Sequence, residues 1–131
     1  MYTIKDFKVG DSVYVEMTGN VTRGLPDDVE SHIKSATIIK VGKKYVSAKI
    51  GEYMTVQFEE TESNYGGGLK QHTNWCVDYI LFKNKQDIYD KYEKESILRK
   101  LRNVFVSFSD YRIPLDKLRE IYAIVKQYEN K

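Results

Sequence analysis

The stretch Ala36-Thr37-Ile38-Ile39-Lys40-Val41-Gly42-Lys43-Lys44-Tyr45-Val46-Ser47-Ala48-Lys49-Ile50-Gly51-Glu52-Tyr53-Met54-Thr55-Val56-Gln57-Phe58 decides the fold. It holds three β-type runs, 36–41, 45–50 and 53–58, rich in β-branched and aromatic residues. Gly42-Lys43-Lys44 fits a tight hairpin, and Gly51-Glu52 a turn.

Working outward, Val9-Gly10-Asp11 makes a turn into a further run, Ser12-Val13-Tyr14-Val15-Glu16-Met17, which alternates at once. On the other side, Asn74 to Phe82 carries Trp75, Val77, Tyr79, Ile80 and Leu81 and reads as a fifth strand, with Cys76 a plain core residue beside Trp75. Five short strands with close turns predict a small, strongly bent sheet or barrel, because closure removes exposed edges.

The composition changes at residue 83. Lys85 to Phe105 predicts a helix, with Asn84 as N-cap and an apolar stripe of Ile97, Leu98, Leu101, Val104 and Phe105. Ser107 to Arg112 breaks it. Pro114 suits the start of a second helix, whose apolar face is Leu115, Leu118, Ile121, Tyr122, Val125 and Tyr128. Such stripes must bury against something. The expected architecture is therefore α+β: a five-stranded barrel followed by two C-terminal helices. One domain spans 1–131, with 1–82 the barrel portion and 83–131 a helical tail packed on it.

With 131 residues, 41% hydrophobic and 31% charged, the chain has the composition of one globular domain. No apolar run approaches the ~18 residues of a membrane span. The start, Met1-Tyr2-Thr3-Ile4-Lys5-Asp6, has no apolar signal region. The single cysteine, Cys76, forms no internal disulfide. A reducing, cytoplasmic setting is expected. Residues 1–82 hold nine Lys/Arg and 11 Asp/Glu; residues 83–131 hold 12 and eight. This polarity is weaker than that of a typical DNA-binding domain.

Two segments interrupt the strands, Thr18–Ser35 and Glu59–Thr73, and both read as loops. Loops of this length are usual places for recognition. Their acidic clusters, Asp27, Asp28 and Glu30 in one and Glu59, Glu60 and Glu62 in the other, together with Tyr65, are the candidate surface for a basic protein partner. Reversing Glu59 and Glu60 to Lys is expected to weaken that binding and leave the melting temperature nearly unchanged. The plainer reading of these carboxylates is a solvated acidic loop. The alternative site is basic: Arg99, Lys100, Arg102 and Arg112, with Tyr111, can meet nucleic-acid phosphates, although a charged outer helix face gives the same pattern.

Other motifs carry less. Gly66-Gly67-Gly68-Leu69-Lys70 lacks the spacing and strand–helix setting of a phosphate-binding loop. His32, His72 and Cys76 lack the paired spacing of zinc ligands, so no metal and no cofactor is expected. No nucleophile-elbow, zinc-protease, kinase, dinucleotide or P-loop pattern is present, and the chain is expected not to be an enzyme.

Three stretches carry a resemblance. Thr3 to Val15 resembles the opening of small β-barrel proteins encoded by phages and mobile elements of Gram-positive bacteria. Val41-Gly42-Lys43-Lys44-Tyr45-Val46 is similar to their second hairpin, and Leu81-Phe82 with Leu115-Asp116-Lys117-Leu118-Arg119-Glu120-Ile121 to their C-terminal half. The resemblance implies an SH3-like barrel with a helical tail and supplies no catalytic residues. It also implies an anti-defence role, of which anti-CRISPR inhibition of a nuclease is the sharpest form. The expected function is thus a phage protein that binds and occludes a partner protein. The alternative is a DNA- or RNA-binding barrel that uses its basic tail.

Overall fold

The computed structural model describes residues 2–62, 66–106 and 113–128. Six strands, β1 (Ser12–Met17), β2 (Ile33–Val41), β3 (Tyr45–Ile50), β4 (Met54–Glu59), β5 (Leu69–Gln71) and β6 (Tyr79–Phe82), form a closed barrel in chain order. Every neighbouring pair is antiparallel, and β1 closes the ring on β6 with Val15 opposite Leu81 and Met17 opposite Tyr79. Two helices follow, α1 (Lys85–Val106) and α2 (Leu115–Lys126). The α+β barrel with two C-terminal helices read from the sequence is therefore the fold, with one strand more than expected.

Alternation explains the core. Val13 and Val15 of β1, Ala36 and Ile38 of β2, Val46, Ala48 and Ile50 of β3, and Val56 and Phe58 of β4 are the inward residues of their strands, and all are buried. Their neighbours in sequence face outward. Gly68 shows how tightly the wall closes beside β5: a Cβ there would stand 2.6 Å from Ile80 Cγ2 and 2.8 Å from the Leu81 carbonyl oxygen.

The extra strand is β5, inside the segment read as a loop. It pairs only through Phe58–Gln71 and Glu59–Lys70 on one side and Leu69–Leu81 and Lys70–Ile80 on the other. Three residues behind a run of glycines leave too short a pattern to read. The fifth run was read too long. Residues 74–78 are not strand, and Trp75 and Cys76 are exposed rather than core. The β1–β6 ladder stops at Met17–Tyr79; beyond it the Asp78 carbonyl accepts the Thr18 N–H, and the Asp78 N–H goes to the Gln71 side chain at 2.9 Å.

One outward face of the barrel is covered. Ile80 and Phe82 of β6 bury Ile88 of α1, with Tyr14, Ile33, Val77 and Tyr92 around them. Lys91 of α1 reaches the buried Glu16 on β1, and the Tyr2 hydroxyl donates to Asp87. The chain divides into two compact units, Met1–Lys94 and Glu95–Lys131, so the first turns of α1 belong to the barrel unit rather than to the tail.

Within the second unit the later part of α1 and all of α2 carry the apolar stripes read from the sequence, and α2 starts after Pro114 as expected. No residue of α2 is buried. The expected break at Ser107–Arg112 lies outside the described residues. Among the described residues no helix is long and apolar enough to cross a membrane.

Candidate functional site

Another part of the barrel's outer surface carries a groove of about 430 Å³. Its floor is laid down by strand register. Ser12 stands opposite Thr37, Thr37 opposite Lys49, and Lys49 opposite Thr55, so one row crosses β1, β2, β3 and β4. The next row is Tyr14 opposite Ser35, ending at Gly51, which also lines the groove. Gly51 has φ +64° and open space where a side chain would be, so the β3–β4 turn leaves this end of the groove unobstructed.

The residue types follow from alternation. Val13, Ala36, Ala48 and Ile50 fill the barrel, and the hydroxyls and the ammonium between them face water. Lys49 makes no ion pair among the described residues. Tyr14 serves both sides, lining the groove and packing against the α1 cluster, so its ring is held in place. Tyr53, in the turn after Gly51, is 95% exposed. The groove thus combines one lysine, the three hydroxyls of Ser12, Ser35 and Thr37 and the fixed Tyr14 ring at one side, with the exposed Tyr53 in the turn next to Gly51. Hydroxyls, backbone N–H groups and a Lys bind phosphate oxygens, and exposed aromatics stack on bases.

The residues singled out in the sequence are placed differently. Glu59 at the end of β4 accepts from His72 Nδ1 at 2.9 Å and lies 3.6 Å from Lys70 Nζ. Glu60 accepts the Ile4 N–H at 2.9 Å. Asp28 accepts from the Ser31 hydroxyl at 2.7 Å and its N–H at 3.2 Å, which holds its carboxyl below the usual carboxylate range. Glu30 pairs with Lys85 of α1 at 2.9 Å. Four of the six acidic candidates are thus engaged within the fold; Asp27 and Glu62 have no partner among the described residues. Tyr65 lies outside the described residues.

The first long loop is a clasp on α1. Besides Glu30–Lys85, Val29 packs into the α1 cluster, and the His32 ring meets Tyr92 edge-on. His32 Nε2 lies 2.8 Å from the Pro26 carbonyl, which can only accept, so this nitrogen carries the proton. Nδ1 is then free to accept from the Tyr92 hydroxyl at 3.3 Å.

Of the basic candidates, Arg99, Lys100 and Arg102 are exposed on α1 in the second unit and make no ion pair among the described residues. Arg99 and Arg102, three apart, share a side of the helix. Tyr111 and Arg112 lie outside the described residues. The same unit holds an apolar cleft of about 400 Å³ lined by Phe105, Leu118, Ile121, Tyr122 and Val125.

The groove residues Ser12, Tyr14, Ser35, Thr37 and Lys49 were missed because their strands were read only for what they bury. The available signal was the polar half of each alternation, hydroxyls with a single lysine on adjacent strands. Among the described residues no group of three or more His, Cys, Asp or Glu side chains is placed to hold a metal ion.

Comparison with known proteins agrees with a phage-type small barrel. The family described as phage ProQ C-terminal-like domain matches residues 1–130. No curated protein and no solved structure matches the chain.

Proposed function

Since the chain belongs to the phage ProQ C-terminal-like domain family, a match that spans nearly its whole length, we propose that it is a phage nucleic-acid-binding module that holds a single strand across the barrel groove. The observation that carries this reading is the row Ser12–Thr37–Lys49–Thr55 with Tyr14 beside it. It sets an ammonium, without an ion pair among the described residues, amid hydroxyls on a rigid wall, next to the half-buried Tyr14 ring and near the exposed Tyr53.

A single strand fits this surface better than a duplex. Duplex readers place a helix or ribbon in a groove about 12 Å wide, or spread a strongly basic face along the backbone. A formal net charge of +2 with one free lysine in the groove supplies neither. Single-strand binding needs fewer charges because stacking supplies much of the affinity. The chain acts by binding and catalyses nothing.

A second reading has its own observation. The apolar cleft of Phe105, Leu118, Ile121, Tyr122 and Val125 suits a protein partner, and this is where an occluding inhibitor, including an anti-CRISPR-type inhibitor of a defence nuclease, would make contact. The acidic loops serve that reading less well, because their carboxylates are largely engaged within the fold.

The two separate by fluorescence anisotropy with labelled 12-nucleotide RNA and DNA across a salt series. The groove reading expects binding that weakens with salt and loses about 0.7 of its log–log slope in Lys49→Ala, as one phosphate contact on a single strand would. Absence of binding to either strand at low salt contradicts it and leaves the protein-partner reading standing.

A further inference from the structure

On β3 the residues of the groove's face are Lys49, then the buried Ser47, then the half-buried Tyr45, opposite Thr55, Gln57 and Glu59 of β4. At the far end four side chains converge. The Tyr45 and His72 rings lie 4.5 Å apart between centroids, tilted by 43°. His72 Nδ1 is 2.9 Å from Glu59 Oε2, and Lys70 Nζ is 3.6 Å from Glu59 Oε1. The His72 backbone is tied to β4 as well, its N–H donating to the Gln57 carbonyl at 2.8 Å. We infer that the Tyr45–His72 ring pair is a second subsite of the same track and stacks one nucleobase of the bound strand.

This rests on the reading of the groove as a single-strand site and adds where the strand goes. Four residue steps along β3 take the chain from Lys49 to Tyr45, about 13 Å at roughly 3.3 Å per step, so the platform meets a different nucleotide from the one at Lys49. The ring pair is held by the fold. Glu59 accepts the Nδ1–H of His72, which fixes the plane of the imidazole and turns Nε2 away from the carboxylate. Tyr45 is set by register opposite Glu59, and His72, one residue past β5, is held by its N–H bond to Gln57 and by Glu59.

The charges decide which part of a nucleotide the platform takes. Glu59 stands at the edge of the imidazole, and Lys70 is committed to it. A phosphate placed here would face a carboxylate whose nearest cation is already paired. A base carries no such penalty, since its flat face needs only a ring to lie on. Lys49 and the hydroxyl row thus meet backbone, and Tyr45–His72 meets a base.

The distinction gives the test. Anisotropy is measured for an eight-nucleotide labelled RNA and for the same length with abasic residues at every position. Variants are Tyr45→Ala, Tyr45→Leu, which keeps apolar bulk at the hairpin, Tyr45→Phe and His72→Ala, each checked by thermal melting. Tyr45→Ala, Tyr45→Leu and His72→Ala are expected to weaken the intact RNA about tenfold without changing the salt slope. Tyr45→Phe is expected to bind as the parent does, and the abasic strand to be indifferent to all four changes. Unchanged binding of intact RNA in the ring variants, with Lys49→Ala still defective, overturns the platform and leaves the groove. Failure of the parent protein to bind the RNA removes both.

Discussion

Lys91 Nζ lies 2.5 Å from Glu16 Oε1, and the two side chains keep only 12% and 4% of their surface exposed. The first turns of α1 are thereby fixed to the barrel wall by a buried ion pair as well as by the apolar cluster of Ile80, Phe82 and Ile88. Removing one partner of such a pair strands the other charge away from water. Lys91→Met is expected to cost about 3–5 kcal/mol in urea unfolding, while Lys91→Met combined with Glu16→Leu costs much less, because no buried charge is left alone. Equal cost in the single and double variants contradicts this account.

Glu60 is a structural acceptor for the Ile4 N–H, and Glu59 ties Lys70 and His72 together. Charge reversal at both therefore does more than alter the surface. Glu59→Lys with Glu60→Lys is expected to lower stability by about 1–2 kcal/mol, chiefly through the lost charge-assisted bond to the N-terminal segment. An unchanged melting temperature in differential scanning calorimetry contradicts it.

Gly68 sits where a methyl group meets Ile80, the Leu81 carbonyl and Phe82. The carbonyl belongs to the barrel wall and cannot swing away as a side-chain end can. Gly68→Ala is expected to cost about 1–3 kcal/mol, as overpacking does. Gly42→Ala is the control: its new methyl meets only the Tyr45 carbonyl, at 3.4 Å. The comparison is read in urea unfolding, and equal costs at the two positions contradict it.

Tyr79 is buried, and burial, with the Asp78 charge beside it, pushes its phenol above the ordinary value of 10. The folded state thus holds this proton more tightly than the unfolded chain. Nothing is lost below about pH 10. Above it the unfolded chain ionises first, and stability falls with pH up to the folded-state value. Tyr79→Phe is expected to flatten the alkaline limb of a stability–pH curve above about pH 10; an unchanged limb contradicts the assignment.

The inner half of the fold was legible because burial writes itself into alternation. Val13-x-Val15, Val46-x-Ala48-x-Ile50 and Val56-x-Phe58 point to one side, and Gly42 and Gly51 mark the turns. β5 was not legible, since three residues between Gly68 and His72 carry no period. Trp75 and Cys76 misled because apolar identity was taken for burial, whereas the ladder ends before them. The site was hidden for the complementary reason. Thr37 and Lys49 look like solvent-facing filler until register sets them side by side across β2 and β3. The carboxylates drew attention as clusters, but pairing with Lys85, Lys70 and His72 is a tertiary property that loop composition does not display.

The most direct test of the groove is residue-resolved NMR titration of the full chain with an unlabelled eight-nucleotide RNA. The expected result is fast or intermediate exchange shifts concentrated at Ser12, Tyr14, Ser35, Thr37, Lys49 and Gly51, extending along β3 toward Tyr45, with 27–30 and 60–62 nearly silent. Shifts confined to 97–105 and 115–125, or to the acidic loops, would contradict it and move the binding surface off the barrel.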